Sequence, residues 1–311
     1  MSGNTKIPSN KTWAFLAITA TMTFWGFSYI STKYLLTFFS PFQLSATRYA
    51  LAVIIMLVIG IVTGRLRPIP VKDWLFLGLA AFTGIFLYFI FENSGLRLTT
   101  AGIGSLIIAT IPVLNVIVNA LFLKKQSSMI VWFGVVLSII GVFLVIKGGS
   151  DFSFKSLIGN LLVIGAAFCW VAYTMFNQPL SQKYDAFSLN TYQAIIGAVL
   201  LIILAWFEGN RFPEFTLPII LNLSFLVICC SALGYIFYIY ALGRLGSTIV
   251  TTFVNFIPVF GVIGGVLILG EPFGLLQLFG GLIIVAGITL VSREDKILKI
   301  LNKNHNLSNI T

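Results

Sequence analysis

Long apolar runs alternate with short polar connections along almost the entire chain. A helix needs about 20 mostly apolar residues to cross the hydrocarbon core of a membrane. Ten runs of suitable length can be delimited, at 13–36, 43–63, 74–94, 100–123, 128–146, 158–178, 187–207, 216–240, 246–269 and 274–292. Because lipid cannot bond to free backbone groups, each run is predicted to be helical. The pattern predicts an all-α integral membrane protein with ten transmembrane helices.

The composition agrees with a membrane environment. Hydrophobic residues make up 58% of the chain and charged residues only 9%, whereas soluble domains carry roughly 25% charged residues. Too few charges are present to cover a surface exposed to water, so the class of soluble globular proteins is excluded.

The basic residues predict the orientation of the helices. With both termini on one side, thirteen Lys and Arg residues lie on that side and four, Arg97, Lys147, Lys155 and Arg211, lie on the other. Basic residues favour the cytoplasmic side, so both termini are predicted to be cytoplasmic in the plasma membrane of a bacterial or archaeal cell. The net charge of +10 is thereby explained by topology rather than by nucleic-acid binding. The basic tail, 293–311, is expected in the cytoplasm, either at the anionic inner leaflet or free in solution.

The second half of the chain repeats the first. An offset of 146 residues matches one proline pair and two glycine pairs without a gap: Pro112 with Pro258, Gly134 with Gly280, and Gly141 with Gly287. An offset of 145 matches Trp25 with Trp170 in the earlier part of each half. The predicted units are 1–148 and 149–292, with five helices each. Because five is odd, the second unit must enter the membrane from the opposite side.

An inverted repeat is typical of alternating-access transporters, in which the two halves exchange conformations around a site near the membrane midplane. Channels and receptors have less need of this symmetry. Pro112 and Pro258 each interrupt an apolar run, and a proline inside a helix removes a backbone hydrogen bond and bends it. These two prolines are predicted hinges.

Several motifs resemble those of the ten-helix drug/metabolite transporter superfamily, specifically its EamA branch, over nearly the whole chain. They are FWG at 24–26, Pro41, Arg48, GLRLTTA at 95–101, YALGRLGST at 240–248, GEP at 270–272 and the glycines of LLQLFGGLIIVAGITL. The resemblance implies a central cavity among helices 1–4 and 6–9, with helices 5 and 10 behind. It also implies passage of small metabolites across the cell inner membrane, in the direction of efflux. Where the second copy has Gly270 and Glu271, the first has Lys124 and Lys125; Glu271 is expected to cap the tenth helix.

Trp25 and Trp170 lie near the membrane midplane, each 12 residues into its predicted span. Interfacial anchoring of tryptophan does not suit that depth. Two interpretations remain: the rings line the cavity and face a substrate, including a cationic one, or they fill the helix interface. Tyr29 and Tyr173 lie one turn further along the same helices and share their faces.

Three tyrosines occupy corresponding helices of the two halves, and three asparagines lie near the proline bends: Tyr88, Tyr235 and Tyr238, and Asn115, Asn119 and Asn255. A buried phenol needs a hydrogen-bond partner, which a polar cavity or an internal packing partner would supply. The amides either bind substrate, for which Asn255 is the candidate, or satisfy backbone carbonyls that a bend frees.

Lys33, Arg48 and Glu92 are ionisable residues within or at the ends of predicted spans. A charge in the membrane is costly unless it is paired. An ion pair between Arg48 and Glu92 is the first interpretation, and proton coupling through Glu92 is the second. The third is that Lys33 or Arg48 extends to the interface.

Nothing in the sequence indicates an enzyme, a metal site or a cofactor. His305 is the only histidine, the three cysteines have no CxxC spacing, and no acid pair has catalytic spacing. The sequence therefore predicts an alternating-access secondary transporter of amino acids, nucleosides or amphipathic and cationic compounds, with protons as a candidate coupling ion. One chain contains both halves, so a monomer is adequate. The alternatives are a carrier of phosphorylated metabolites or nucleotide-sugars, which would want paired cations in the cavity, and a non-transporting scaffold or sensor.

Overall fold

The structure is a computed structural model that describes residues 11–122, 128–149, 153–209 and 213–292. Ten helices follow one another: α1 Lys11–Leu35, α2 Pro41–Thr63, α3 Val71–Leu98, α4 in two segments (Ala101–Ile108 and Ile111–Phe122), α5 Met129–Lys147, α6 Phe154–Ser181, α7 Ala186–Trp206, α8 Leu217–Leu245, α9 Ser247–Leu267 and α10 Leu275–Ser292. Within the described ranges, nine of these have the length and composition of a membrane span, and the tenth is apolar but shorter. The predicted tail, 293–311, lies outside the described residues.

The helices form two inverted five-helix repeats, as the sequence predicts. Three helices of the first repeat pack against their own counterparts: α2 against α7, α4 against α9, and α5 against α10. Four further contacts are reciprocal, because α1 packs against α8 and α9 while α6 packs against α3 and α4. Exchanging the two repeats therefore maps these contacts onto one another.

Glycine brings α5 and α10 together behind the bundle. An ideal Cβ on Gly134 would lie 2.6 Å from the carbonyl oxygen of Gly287, and one on Gly141 would lie 2.7 Å from that of Gly280. Both distances are too short for any side chain, so the two backbones touch at these points. Small residues in a stripe allow this kind of close approach between membrane helices.

The two helices that contain the predicted hinge prolines, α4 and α9, are interrupted on the N-terminal side of the proline. In α4 a turn at Ala109 and Thr110 separates the two segments, and Pro112 is the second residue of the second segment. In α9 a 3₁₀ turn, Val254–Phe256, precedes the segment that contains Pro258. A proline in the first turn of a helical segment loses no hydrogen bond, because the N–H at that position has no intrahelical partner.

Two wide π-helical stretches, which the sequence did not predict, occupy equivalent places in α3 and α8. The first is Phe82–Leu87 and the second is Leu226–Gly234. Adding the repeat offset of 146 to 82–87 gives 228–233, which lies inside the second stretch. Such stretches are frequent at functional sites, and both of these border the centre of the bundle.

A cluster at the ends of α3 and α6 joins the two repeats. Lys183 Nζ lies 3.4 Å from Asp73 Oδ1, and the Tyr184 hydroxyl donates a hydrogen bond to Asp73 Oδ2. This bond to a carboxylate raises the pKa of Tyr184 to about 12. The pair is the one salt bridge found among the described residues.

Candidate functional site: a central aromatic cavity

A cavity lies at the centre of the bundle, between the two π-helical stretches and the two helix breaks. It holds about 390 Å³ of space between atoms, including space open to solvent, and the rings leave room for the centre of little more than one water molecule. Seven helices contribute to it. The lining residues are Trp25, Ser28, Tyr29, Arg48, Tyr88, Phe89, Glu92, Ile108, Ile111, Trp170, Tyr235, Val254 and Ile257.

The two midplane tryptophans meet edge to face in this cavity. The ring centroids of Trp25 and Trp170 are 4.9 Å apart at an interplanar angle of 84°. Trp25 Nε1 donates to the carbonyl oxygen of Cys230, 3.1 Å away in the π-helical stretch of α8. The rings line the cavity and also pack against the helices around it. Their contact with a substrate stays a prediction.

Tyr173 and Tyr238 stand behind Trp170 rather than in the cavity wall. Trp170 Nε1 donates to the Tyr238 hydroxyl at 3.1 Å, and that hydroxyl lies 2.7 Å from Thr174 Oγ1. The Tyr173 ring lies 4.7 Å from the Trp170 ring, between centroids. The tyrosine predictions thus divide into a lining set and a supporting set.

Tyr235 binds the first π-helical stretch, Phe82–Leu87. Its hydroxyl donates to the carbonyl oxygen of Gly84 at 2.9 Å. Gly84 and Cys230 are equivalent under the offset of 146, so each π-helical stretch offers the same carbonyl to an aromatic donor from the opposite repeat. Gly84 also leaves space for Tyr173, since an ideal Cβ on Gly84 would lie 2.0 Å from Tyr173 Cδ2.

Arg48 places a guanidinium group at the cavity wall with most of its donors free. Arg48 Nε donates to Ser231 Oγ at 2.6 Å, and the group lies 4.6 Å above the Phe89 ring. The two terminal nitrogens bond to no described residue and are not sealed in the protein interior. The residue as a whole is only 3% exposed, so these donors face the cavity.

Glu92 contributes a carboxylate to the same cavity. Its Oε1 accepts a hydrogen bond of 2.7 Å from the Tyr88 hydroxyl, one turn earlier in α3. The direct ion pair favoured from the sequence is not formed, because among the described residues no nitrogen of Arg48 lies within 4.0 Å of Glu92. The physical reason is that each group already has a partner on a neighbouring helix or turn, Ser231 and Tyr88 respectively.

Lys33 lies outside the cavity and binds the end of α3. Its Nζ donates to the carbonyl oxygen of Leu96 at 2.6 Å and to that of Thr99. These carbonyls at the C-terminal end of a helix carry partial negative charge, which a cation satisfies. The structure therefore separates Lys33 from Arg48 and Glu92.

Glu271 caps α4 rather than α10, which corrects the expectation from sequence. Its carboxylate accepts from Ala101 N at 2.8 Å and from Gly102 N at 3.0 Å. Its own backbone N–H donates to the carbonyl oxygen of Gly265 in α9. This residue thus joins the end of α9 to the start of α4, across the two repeats.

Of the asparagines near the bends, Asn115 and Asn255 lie outside the cavity lining. Asn255 is half-buried in the 3₁₀ turn of α9, and its Oδ1 has no hydrogen-bond partner. Asn115 is buried, and the side chain of Asn119 lies outside the described residues. The candidate substrate residue Asn255 is therefore not part of the central cavity.

The sequence did not single out Ser28, Phe89 or the four aliphatic residues of the lining, which come from the breaks in α4 and α9. The four aliphatic residues could have been found from the sequence, because they lie near the prolines that predict the bends. Ser28 and Phe89 gave no signal, because they look like ordinary packing residues of a membrane helix. In the described part of the chain no three His, Cys, Asp or Glu side chains are grouped so as to hold a metal ion.

Comparison with known proteins gives the family context. A sequence profile described as the EamA-like transporter family matches residues 11–147 and 157–293. An uncharacterized transporter of Archaeoglobus fulgidus is 31% identical over 291 residues, which cover 92% of this chain and 99% of that protein. An uncharacterized transporter of Bacillus subtilis is 28% identical over 290 residues, which cover 90% of this chain and 93% of that protein. A solved crystal structure with a TM-score of 0.65 and 18% identity covers 92% of this chain and 99% of its own, and shares the fold.

Proposed function

Since this chain belongs to the EamA-like transporter family, we propose that it moves a small metabolite across the plasma membrane by alternating access, in the direction of export. The observation that carries this proposal is a central cavity built from both inverted repeats. The rocking units are the repeats 1–148 and 149–292, and the breaks before Pro112 and Pro258 are their hinges. One chain supplies the whole cavity, so a monomer is sufficient.

The substrate class that best fits the cavity is a zwitterionic amino acid with an apolar side chain. Arg48 offers free donors in a geometry suited to a carboxylate. Glu92 offers a carboxylate oxygen to an ammonium group, and the rings of Trp25 and Trp170 supply apolar surface. A zwitterion satisfies both charges at once, whereas a nucleoside satisfies neither and an organic cation leaves Arg48 unpaired.

A phosphorylated metabolite or nucleotide-sugar fits less well. Among the described residues Arg48 is the one basic residue of the lining, and Glu92 in the same wall repels a phosphate. Lys33, the other intramembrane cation, is bound to the end of α3. A dianion would therefore meet one positive and one negative group, which gives little net attraction.

Glu92 is the proposed coupling residue if transport is driven by protons. It is the one acidic residue of the lining and is bonded to a phenol rather than to a cation. A carboxyl group in that position exchanges its proton with the cavity without breaking an ion pair. The proposed orientation places both termini in the cytoplasm, according to the excess of basic residues on that side.

The test is counterflow in proteoliposomes that are preloaded with one compound at a time from a panel of amino acids, nucleosides and aromatic cations. Counterflow requires no ion gradient, so it detects a carrier whatever its coupling. We expect a signal for apolar amino acids, and we expect Arg48→Gln to raise their half-saturation concentration by about tenfold or more. Arg97→Gln is the matched control, because Arg97 is exposed at the end of α3.

Three outcomes would contradict parts of the proposal. A signal restricted to nucleosides or cations would reject the zwitterion. An equal loss of all substrates in Arg48→Gln would make Arg48 structural. Silence across the panel, with folded protein confirmed, would favour a scaffold or sensor instead of a carrier.

A further inference from the structure

We infer that Tyr173, Asn177 and Gln193 form a second, uncharged half-site, which takes over the polar groups of the substrate when the cavity opens toward the opposite side. This inference rests on the proposed alternating-access function and deepens it. In the structure the three residues are fully buried in α6 and α7, away from the present cavity. We call them the amide half-site.

The first observation is a set of buried polar atoms without partners. Tyr173 Oη, Asn177 Nδ2 and Gln193 Oε1 have no hydrogen bond in the structure, although each residue is 0% exposed. Only one bond links the two amides, from Gln193 Nε2 to Asn177 Oδ1 at 2.7 Å. Buried polar groups are normally satisfied, and exceptions need an explanation. A partner that arrives in another conformation is such an explanation.

The second observation is the register of the repeat. The offset of 145 that aligns Trp25 with Trp170 also aligns Ser28 with Tyr173 and Arg48 with Gln193. Both first-repeat residues, Ser28 and Arg48, line the present cavity. When inverted repeats exchange conformations, the second repeat adopts the arrangement that the first has now. Tyr173 and Gln193 are then exposed to the cavity in the same way.

The amide half-site is closed in the present conformation. Tyr173 packs against Gly84 with no space for a side chain there, and its ring contacts both Trp170 and Tyr235. Opening it requires Tyr173 to leave Gly84, and that movement would also bring solvent to Asn177.

The two half-sites differ in charge. The present cavity offers Arg48 and Glu92, whereas the amide half-site offers two amides and a phenol. A zwitterion would therefore lose its contacts with ionised partners as it passes to the second half-site. Because hydrogen bonds to charged groups are stronger than those between neutral groups, the carrier should bind its substrate more tightly from one face of the membrane than from the other.

Cysteine accessibility tests the inference without knowledge of the substrate. Cys169, Cys229 and Cys230 are first replaced by alanine, and single cysteines are then introduced as Ser28→Cys, Asn177→Cys or Gln193→Cys. A small membrane-impermeant thiol reagent is added to oriented proteoliposomes from one face at a time. Val171→Cys is the matched control, because Val171 is also 0% exposed in α6 but apolar.

We expect Ser28→Cys to react from one face and Asn177→Cys and Gln193→Cys from the opposite face, with Val171→Cys unreactive. The inference would be overturned if Asn177→Cys and Gln193→Cys react no more than Val171→Cys does, while Ser28→Cys reacts and the unmodified protein shows counterflow. The carrier function would then still stand. Failure of Ser28→Cys together with loss of counterflow in the unmodified protein would reject the proposed function itself.

A second measurement separates binding from mere opening. Gln193→Ala in the natural background should raise the half-saturation concentration about threefold or more from the face at which Asn177→Cys reacts, since one hydrogen bond is lost. The value from the other face should stay unchanged. If Gln193→Ala changed the half-saturation concentration by the same factor from both faces, or from neither, Gln193 would be only a packing residue.

Discussion

At the scale of single residues, the cavity is held by bonds from aromatic side chains to backbone carbonyls. Trp25 binds the Cys230 carbonyl and Tyr235 binds the Gly84 carbonyl, at equivalent places of the two repeats. Each bond crosses from one repeat to the other. The rings that line the cavity therefore also join the two repeats. In the proposed mechanism, this would couple occupancy of the cavity to the contact between the repeats.

Trp25→Phe tests the structural part of this role. Phenylalanine keeps an aromatic ring but leaves the buried Cys230 carbonyl without its donor, which costs about 1–3 kcal/mol. We expect the midpoint of thermal unfolding in detergent to fall by about 3–8 °C. Trp206→Phe is the control, because Trp206 is 69% exposed at the end of α7. Equal midpoints for the two variants would show that the Trp25 bond does not stabilise the fold.

The sequence predicted the position of these tryptophans but not their bonds. Depth in the span and symmetry between the halves predicted a similar depth for Trp25 and Trp170 on corresponding helices, and left open whether they line the cavity or fill the helix interface. The acceptor in α8 depends on a π-helical stretch, and the local sequence there, LVICCSALG, gives no pattern distinct from an α-helix. The same limit applies to Arg48, whose partner Ser231 is 183 residues away.

At the scale of helices, a carboxylate from one repeat caps a helix of the other. Glu271 follows α9 and accepts from the first two N–H groups of α4. Sequence reasoning assigned this cap to α10, because the nearest helix start along the chain is there. Only the packing of α9 against α4 shows which N-terminus is within reach. In the sequence, the equivalent position of the first repeat is Lys125, which lies outside the described residues, and a basic side chain does not favour a helix N-terminus.

Glu271→Ala should therefore destabilise the protein. The loss of an N-terminal cap costs about 0.5–2 kcal/mol, and the loss of the favourable interaction with the helix dipole adds to it. We expect a lower midpoint of thermal unfolding than in Glu214→Ala, since Glu214 is exposed before α8. If the two variants unfold at the same temperature, the cap contributes nothing measurable.

Two glycines, Gly141 in α5 and Gly78 in α3, differ in the space around them, so alanine should have opposite effects on stability at the two positions. Gly141 touches the α10 backbone, whereas an ideal Cβ on Gly78 in α3 meets nothing within 4 Å. Gly141→Ala should destabilise the protein by about 1–3 kcal/mol through overpacking. Gly78→Ala should be neutral or stabilising by up to about 1 kcal/mol, because alanine favours the helix. Denaturation of both variants in detergent measures the difference, and a reversed order would contradict the close contact of α5 and α10.

At the scale of the whole molecule, the fold is symmetric and the chemistry is not. The order of helices, the breaks and the π-helical stretches recur in both halves, but Arg48 and Glu92 correspond to Gln193 and Tyr238. The symmetric part was predictable, because gapless proline and glycine matches survive in the sequence. The asymmetric part had to be read from the structure, since nothing in the sequence says which member of each pair faces the cavity.

A reversible cross-link between α4 and α9 tests whether the two repeats must move against each other. These helices contain the two breaks and pack across the repeats. An ideal Cβ on Gly102 would lie 3.8 Å from Val262 Cα and 3.7 Å from its nearest neighbour, Glu271, so a cysteine fits there. The Cα and Cγ2 atoms of Val262 both lie 3.8 Å from that Cβ, and disulfides need Cβ atoms about 3.5–4.5 Å apart, so we choose Gly102→Cys with Val262→Cys in a cysteine-free background.

We expect oxidation of this double variant to abolish counterflow and reduction to restore it, because the bond holds the start of α4 against α9 in one conformation. Each single variant, treated with the same oxidant, should keep its activity and so excludes damage by the reagent. Full activity in a population that is completely cross-linked would mean that access changes without movement at this contact. The rocking units would then have to be sought within each repeat rather than between the two.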